Sequence, residues 1–143
     1  MKYNCAMNDF APLLHQHNLK VTPQRLAISD IIFSYGHVNV EFLYEQMLQR
    51  FDSISLATIY KNINLMLENA FVQEVKIPNA KSVYELTKEH HSHLVCQNCG
   101  CVSDITVETH SIINATSKLT PFAIESASVI FSGFCQECTT TKG

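Results

Sequence analysis

The stretch "SLATIYKNINLMLENAFVQEVKIPNAKSVYEL", residues 55–86, changes its hydrophobic period part-way along. In the first half Leu56, Ile59, Ile63 and Leu67 recur at the spacing of one helix face, and Ser55 stands where a side-chain oxygen can cap the first amides. That assignment turns Thr58, Tyr60, Lys61, Asn62 and Asn64 away from the core. In the second half "FVQEVKI" and "KSVYEL" are short alternating segments joined by Pro78-Asn79-Ala80, the pattern of a β-hairpin.

The residues upstream read as helices. A short first helix is expected around residues 6–18. In "KVTPQRLAISDIIFSYG" Thr22 can cap a second helix and Pro23 takes its first position, where a missing N–H costs nothing. Leu26, Ile28, Ile31, Ile32 and Tyr35 supply the apolar face, and Gly36 ends it. Asn39 is placed to cap a third helix through "VEFLYEQMLQRF". Three or four helices followed by a hairpin is the order of a winged helix-turn-helix. There the helix before the hairpin offers a few side chains to base edges while nearby cations hold phosphates. An outward Tyr60-Lys61-Asn62 face also serves as ordinary solvated surface; its position before the hairpin is what recommends it for DNA.

The chain has 143 residues, 46% hydrophobic and 16% charged, which is the composition of a globular protein rather than a disordered one. Its formal net charge of −3 is unevenly divided. Residues 1–88 carry eight Lys/Arg and eight Asp/Glu, net zero, whereas residues 89–143 carry two and five, net −3. The first half can therefore present a local basic face. "MKYNCAMNDFAPLL" interrupts any export signal with Asn, Asp and Pro, and no apolar run reaches the roughly 18 residues of a membrane span. A cytoplasmic protein with no membrane partner is expected.

Beyond residue 88, "HLVC" and "CVSDITV" read as strands, "ETHSIINATSKL" as a helix and "FAIESASVIFSGFC" as one or two longer strands. This α/β portion is too small to bury both faces of a sheet, so dimerisation through the sheet and a structural metal are expected to make up the deficit. The fold class is thus α+β.

Metal chemistry is concentrated in "HHSHLVCQNCGC", residues 90–101. Cys96-x-x-Cys99 and Cys135-x-x-Cys138 form two knuckles separated by 35 residues, and four thiolates in that spacing suit a closed tetrahedral Zn²⁺ site. A thioredoxin-type redox pair needs one such motif opening a helix within a βαβ unit, whereas both are expected here at strand ends. Cys5 and Cys101 are left over; Cys101 could compete for the zinc, but the tetrahedral shell is already full, so a spare thiol is the expectation. His91 and His93, at i and i+2 of an extended segment, project to one side. With His37, Glu85 and Asp104 they would make a sulfur-free donor set suited to Fe²⁺, Mn²⁺ or Zn²⁺. The competing function class is a metal or thiol-disulfide enzyme, against which stands the lack of any recognisable nucleophile–base pair.

Four segments, "LKVTPQRLAI", "SLATIYKNIN", "YELTKEHHSHLVCQNCG" and "GFCQEC", together resemble the ferric uptake regulator family of bacterial metal-dependent repressors, in order and over nearly the whole chain. The resemblance implies a winged-helix DNA-binding domain at 1–86, a hinge at 87–93 and a dimerisation domain at 94–143. It implies structural zinc on Cys96, Cys99, Cys135 and Cys138, and a regulatory Fe²⁺ or Mn²⁺ on His37, Glu85, His91, His93 and Asp104. It also implies a non-enzymatic homodimer on near-palindromic operator DNA, contacted through Arg25, Thr58, Tyr60, Lys61 and Asn62. Glu85 looks like the iron sensors of the family; Asp104 and the "YKN" of the fourth helix look like its peroxide sensors, in which the positions matching His37 and His91 are oxidised. No cysteine between residues 6 and 95 is available for a zinc-sensing site. A further iron-sensor site built on His90 finds Ser92, Ser111 and Ala127 at its partner positions, so His90 and Glu89 read as hinge residues. The expectation is a peroxide-responsive repressor, with an iron-responsive one as the alternative.

Overall fold

Side-chain oxygens set where the longer helices begin. In the computed structural model, which describes residues 9–140, a short helix α1 (Ala11–Gln16) comes first; residues 6–8 of the expected helix lie outside the described residues. The Arg25 amide then donates to Thr22 Oγ1 over 3.2 Å, the Phe42 amide to Asn39 Oδ1 over 2.8 Å and the Thr58 amide to Ser55 Oγ over 3.1 Å. Each oxygen takes up an amide that has no acceptor within its own helix. The helices so opened are α2 (Pro23–Tyr35), α3 (Val40–Leu48) and α4 (Leu56–Glu68).

Gly36 ends α2 with φ +80°, a left-handed conformation that costs a side-chain-bearing residue energy. The chain then turns so that Val38 exchanges two backbone hydrogen bonds with Tyr84, at 3.1 and 2.7 Å. Tyr84 belongs to β2 (Val83–Leu86), which pairs antiparallel with β1 (Val72–Val75) in the register Val72↔Leu86 to Val75↔Val83. Helices capped by this small sheet make a winged helix.

The interior of this N-terminal unit, residues 1–88, is continuous. Leu14, Ile28, Ile31, Ile32, Leu43, Met47, Ile59, Ile63, Met66 and Phe71 are buried in it. On α4 the buried stripe is Ile59, Ile63 and Met66, with Leu67 half-buried and Leu56 exposed. Leu56 obeys the period but is the first helical residue. Its side chain leans back over the N-terminal end, ahead of the packed stripe, and Met66 fills the later turn instead.

In the C-terminal unit, residues 89–143, β3 (Ser92–Cys96) is the central strand of three. It pairs antiparallel with β4 (Val102–Ile105) and parallel with β5 (Ile130–Gly133), and α5 (His110–Ser117) lies in the crossover between them. Only β5 forms where longer strands were expected. Its ladder with β3 runs from His93↔Ile130 to Cys96↔Gly133, and with β3 beginning at Ser92 nothing is left to pair residues 121–128. Ser92 and His93, placed by the resemblance in a hinge, are the first residues of β3. A last helix, α6 (Gln136–Thr140), follows β5.

The buried residues of this unit are Cys96, Cys138, Ser92 and His93, none of them a large hydrocarbon, among those described. Leu94, Ile112, Leu119, Phe122, Phe131 and Phe134 are 40% to 85% exposed. Removing the α4 cap with Ser55→Ala is expected to cost about 1 kcal/mol, and Leu56→Ala under about 0.5 kcal/mol because its side chain is outside the core. Urea denaturation of both variants measures the difference.

Candidate metal centres and DNA-facing helix

His37 and Glu85 meet because the Val38–Tyr84 bridge lays the chain after α2 alongside β2. His37 Nε2 lies 2.7 Å from Glu85 Oε2, and Lys88 Nζ lies 3.7 Å from the same oxygen. The other carboxylate oxygen, Oε1, accepts from Gln73 Nε2 over 2.7 Å. Glu85 is 0% exposed, so its charge requires these partners. Gln73 was not singled out from the sequence, although the signal was there. A hairpin centred on Asn79 pairs Gln73 with Glu85, which is the observed register.

A second group of donors forms within the C-terminal unit. Asp104 faces His93 across the β3–β4 register, and its Oδ1 lies 3.5 Å from His93 Nε2 and 3.4 Å from His91 Nε2. The two imidazoles stand edge to face, with centroids 4.5 Å apart. His91 Nδ1 is 2.7 Å from the Glu89 carbonyl oxygen. A carbonyl only accepts, so Nδ1 is the donor and Nε2 is the nitrogen turned to Asp104, the orientation a metal-ligating histidine needs. Two imidazoles and a carboxylate converging in this way, with no sulfur, fit Fe²⁺, Mn²⁺ or Zn²⁺.

The thiols gather at one end of the same sheet. Gly100, at φ +76°, completes the turn after Cys99; the Gly100 amide donates to the Cys96 carbonyl over 2.9 Å and the Cys96 amide to the Cys101 carbonyl over 3.0 Å. The sulfurs of Cys96, Cys99, Cys101 and Cys135 all lie within 4.8 Å of one another. Cys138, on α6, accepts from Asn98 Nδ2 over 3.2 Å, and its thiol interacts with those of Cys135, Cys96 and Cys99. Cys101 therefore sits inside the cluster from which the sequence had set it apart. The second Cys-x-x-Cys opens a short helix rather than ending a strand, but no strand follows α6, so the βαβ frame of a thioredoxin site is missing among the described residues. Amides of Cys135 and then Cys99 hold the Cys96 thiol down to about 5, and the Cys138 amide does most to lower that of Cys135. Backbone amides thus favour the thiolate at Cys96 and Cys135, whereas neighbouring thiols push Cys99 and Cys138 up to about 11. Cys5 lies outside the described residues.

On α4, Tyr60 and Lys61 are exposed and Thr58 and Asn62 are half-buried. Thr58 Oγ1 lies 2.9 Å from Ser55 Oγ, and Asn62 donates to the Thr58 carbonyl over 2.9 Å while accepting from Arg25 Nε over 3.1 Å. Arg25 also donates to the Lys20 carbonyl over 2.9 Å. Of the five residues expected at DNA, Tyr60 and Lys61 thus form the outward face, while Thr58, Asn62 and Arg25 are tied into a network behind it. No helix among the described residues is long and apolar enough to cross a membrane.

Residues 16–132 match the model of the ferric uptake regulator family. The peroxide operon regulator of Bacillus subtilis is 27% identical over 128 residues, 88% of each chain. The Campylobacter jejuni peroxide stress regulator is similar in structure, with a TM-score of 0.68 and 32% identity over 91% of this chain and 99% of that one. The Vibrio cholerae ferric uptake regulator superposes with a TM-score of 0.70 at 28% identity, over 89% of this chain and 100% of that one.

The sulfur cluster has a spectroscopic test. Co²⁺ added to metal-stripped protein should give the intense sulfur-to-metal charge-transfer absorption of a tetrahedral thiolate site, and Cys96→Ser or Cys135→Ser should abolish most of it. An unchanged spectrum in both variants would mean that cobalt binds elsewhere.

Proposed function

The chain belongs to the ferric uptake regulator family, whose members are metal-responsive transcription regulators, and we propose that it is a peroxide-sensing repressor that binds near-palindromic operator DNA as a homodimer. The observation that carries this reading is the group of His91, His93 and Asp104, with the shorter carboxylate opposite His93. Relatives named as peroxide regulators in Bacillus subtilis and Staphylococcus aureus support it.

In this reading His37 and Glu85 supply one half of a regulatory site, and His91, His93 and Asp104 supply the other. When both halves share an ion the two units are held at one angle, which suits a dimer to present two α4 helices to successive major-groove faces. Because the ion favours the DNA-competent form, it shifts the population towards that form, and DNA reciprocally tightens its binding. Fe²⁺ held by these residues would bring one-electron chemistry towards peroxide, which Mn²⁺ would not offer. His37 and His91 are the rings that would take up oxygen from peroxide; an oxidised imidazole would be a weaker donor, so the two halves would separate and the operator would be released. Structural zinc belongs on the thiol cluster, Cys96, Cys99, Cys135 and Cys138 being the expected ligands. The exposed apolar residues of the C-terminal unit provide surface for the second copy. Glu85 favours the second reading, an iron-responsive repressor that uses the same ligands without the oxidation.

Two measurements test the proposal. Binding of a palindromic AT-rich duplex should require Mn²⁺ or Fe²⁺ and lose that dependence in His37→Ala and His93→Ala. Tyr60→Ala should relax sequence preference, while Lys61→Ala should lower the log–log salt slope by about one unit. The second measurement is mass spectrometry of the Fe²⁺ form after peroxide. It should find added oxygen on the His37 or His91 peptides, with DNA release, no change in the Mn²⁺ form and a blunted response in Asp104→Glu. Unmodified histidines and intact DNA binding would decide for the iron-responsive reading.

A further inference from the structure

The thiol cluster holds one sulfur more than a tetrahedral ion can use. Cys96, Cys99 and Cys135 are common to both arrangements in it: their sulfurs and that of Cys101 all lie within 4.8 Å of one another, and Cys138, three residues after Cys135, interacts with the same three. The fourth corner thus has two candidates from different elements. Cys101 opens towards β4 directly after the Gly100 turn, while Cys138 is on α6. Their surroundings differ. Cys138 is 8% exposed and receives a hydrogen bond from Asn98, whereas Cys101 is exposed to solvent.

We propose that the zinc site has interchangeable fourth ligands, Cys101 and Cys138, with Cys96, Cys99 and Cys135 held in common. This rests on reading the cluster as a zinc site. The exchange is balanced: the arriving thiol gives up a proton, the departing thiolate takes one, and the ion keeps four sulfurs throughout. Each state leaves one thiol free beside the ion, on the solvent side when it is Cys101 and against α6 when it is Cys138. A second donor already in place lets one of the two be lost without opening the site.

The test measures zinc by elemental mass spectrometry, after dialysis against a chelator, for the full-length protein and for Cys101→Ser, Cys138→Ser, the double variant and Cys96→Ser. Each of the first two single variants should keep zinc within about twofold of the parent, while the double variant and Cys96→Ser should fall at least about tenfold. In parallel, iodoacetamide is applied to the native, zinc-loaded parent and the peptides are weighed. Alkylation should divide between Cys101 and Cys138 and total about one across those two residues, in addition to any at Cys5. This second arm needs no variant, so it stands even if Cys138→Ser fails to fold. Alkylation of Cys101 alone, with zinc lost from Cys138→Ser, would overturn the proposal and make Cys101 a spare thiol. Alkylation of Cys138 alone, with zinc lost from Cys101→Ser, overturns it in the other direction. Full zinc in Cys96→Ser would instead defeat the zinc-site reading, and the exchange with it.

Discussion

In the C-terminal unit the turn from β3 to β4 and the step from β5 into α6 meet through sulfur. Cys96, Cys99 and Cys101 come from the first, Cys135 and Cys138 from the second. Among the described residues of this unit the buried ones are two cysteines, a serine and a histidine, so no hydrocarbon core stands behind the sheet. A sheet of three short strands with exposed leucine and phenylalanine side chains gains too little from burial to offset the entropy of ordering it. A metal bound by thiolates from both of these segments would add binding free energy directly to folding, on the order of 10 kcal/mol. The same deficit explains the apolar surface, since a second copy covering it would supply the burial a single chain lacks.

The N-terminal unit is built on the opposite principle. Its hydrocarbon core is extensive enough to carry one expensive feature, the fully buried carboxylate of Glu85. Burying a charge is unfavourable unless it is paired and hydrogen-bonded, and Glu85 has His37, Gln73 and Lys88 around it. Removing a partner from such a charge costs more than forming the pair gained. The strands hold the arrangement, because Gln73 is the cross-strand neighbour of Glu85 and Val38 is bridged to Tyr84. Rigid backbone therefore positions the donors before any ligand arrives, the condition under which a metal-binding group is preorganised.

Helix α4 depends on a similar division of labour. Ile59, Ile63 and Met66 fix its rotation about its own axis, and that rotation exposes Tyr60 and Lys61. Asn62 and Arg25 link α4 to α2 by a hydrogen bond, so their polar groups are spent on holding one helix against the other. The equal numbers of acidic and basic residues in the first 88 positions leave this face without a strong general field. In the proposed function, affinity for DNA would come from a few placed cations and from two copies acting together.

Local chemistry fixed much of this protein in advance. Thr22, Asn39 and Ser55 cap the helices they were expected to cap, since a cap is decided by a residue and the three that follow it. The hairpin after α4 and the strands around the first Cys-x-x-Cys follow from alternation and turn residues, which are equally local. Whatever required partners distant in the chain was settled only by the tertiary structure. Residues 121–128 were expected to extend a strand, but the ladder with β3, which begins at Ser92, starts only at Ile130. Leu56 fits the apolar period, yet the core begins beyond it. Cys101 looked superfluous once four ligands had been counted along the sequence, but the turn at Gly100 delivers its sulfur to the other thiols. Spacing names the residues able to bind; which of them reach the same point depends on how β3, β4 and β5 pair, and that is a property of the sheet.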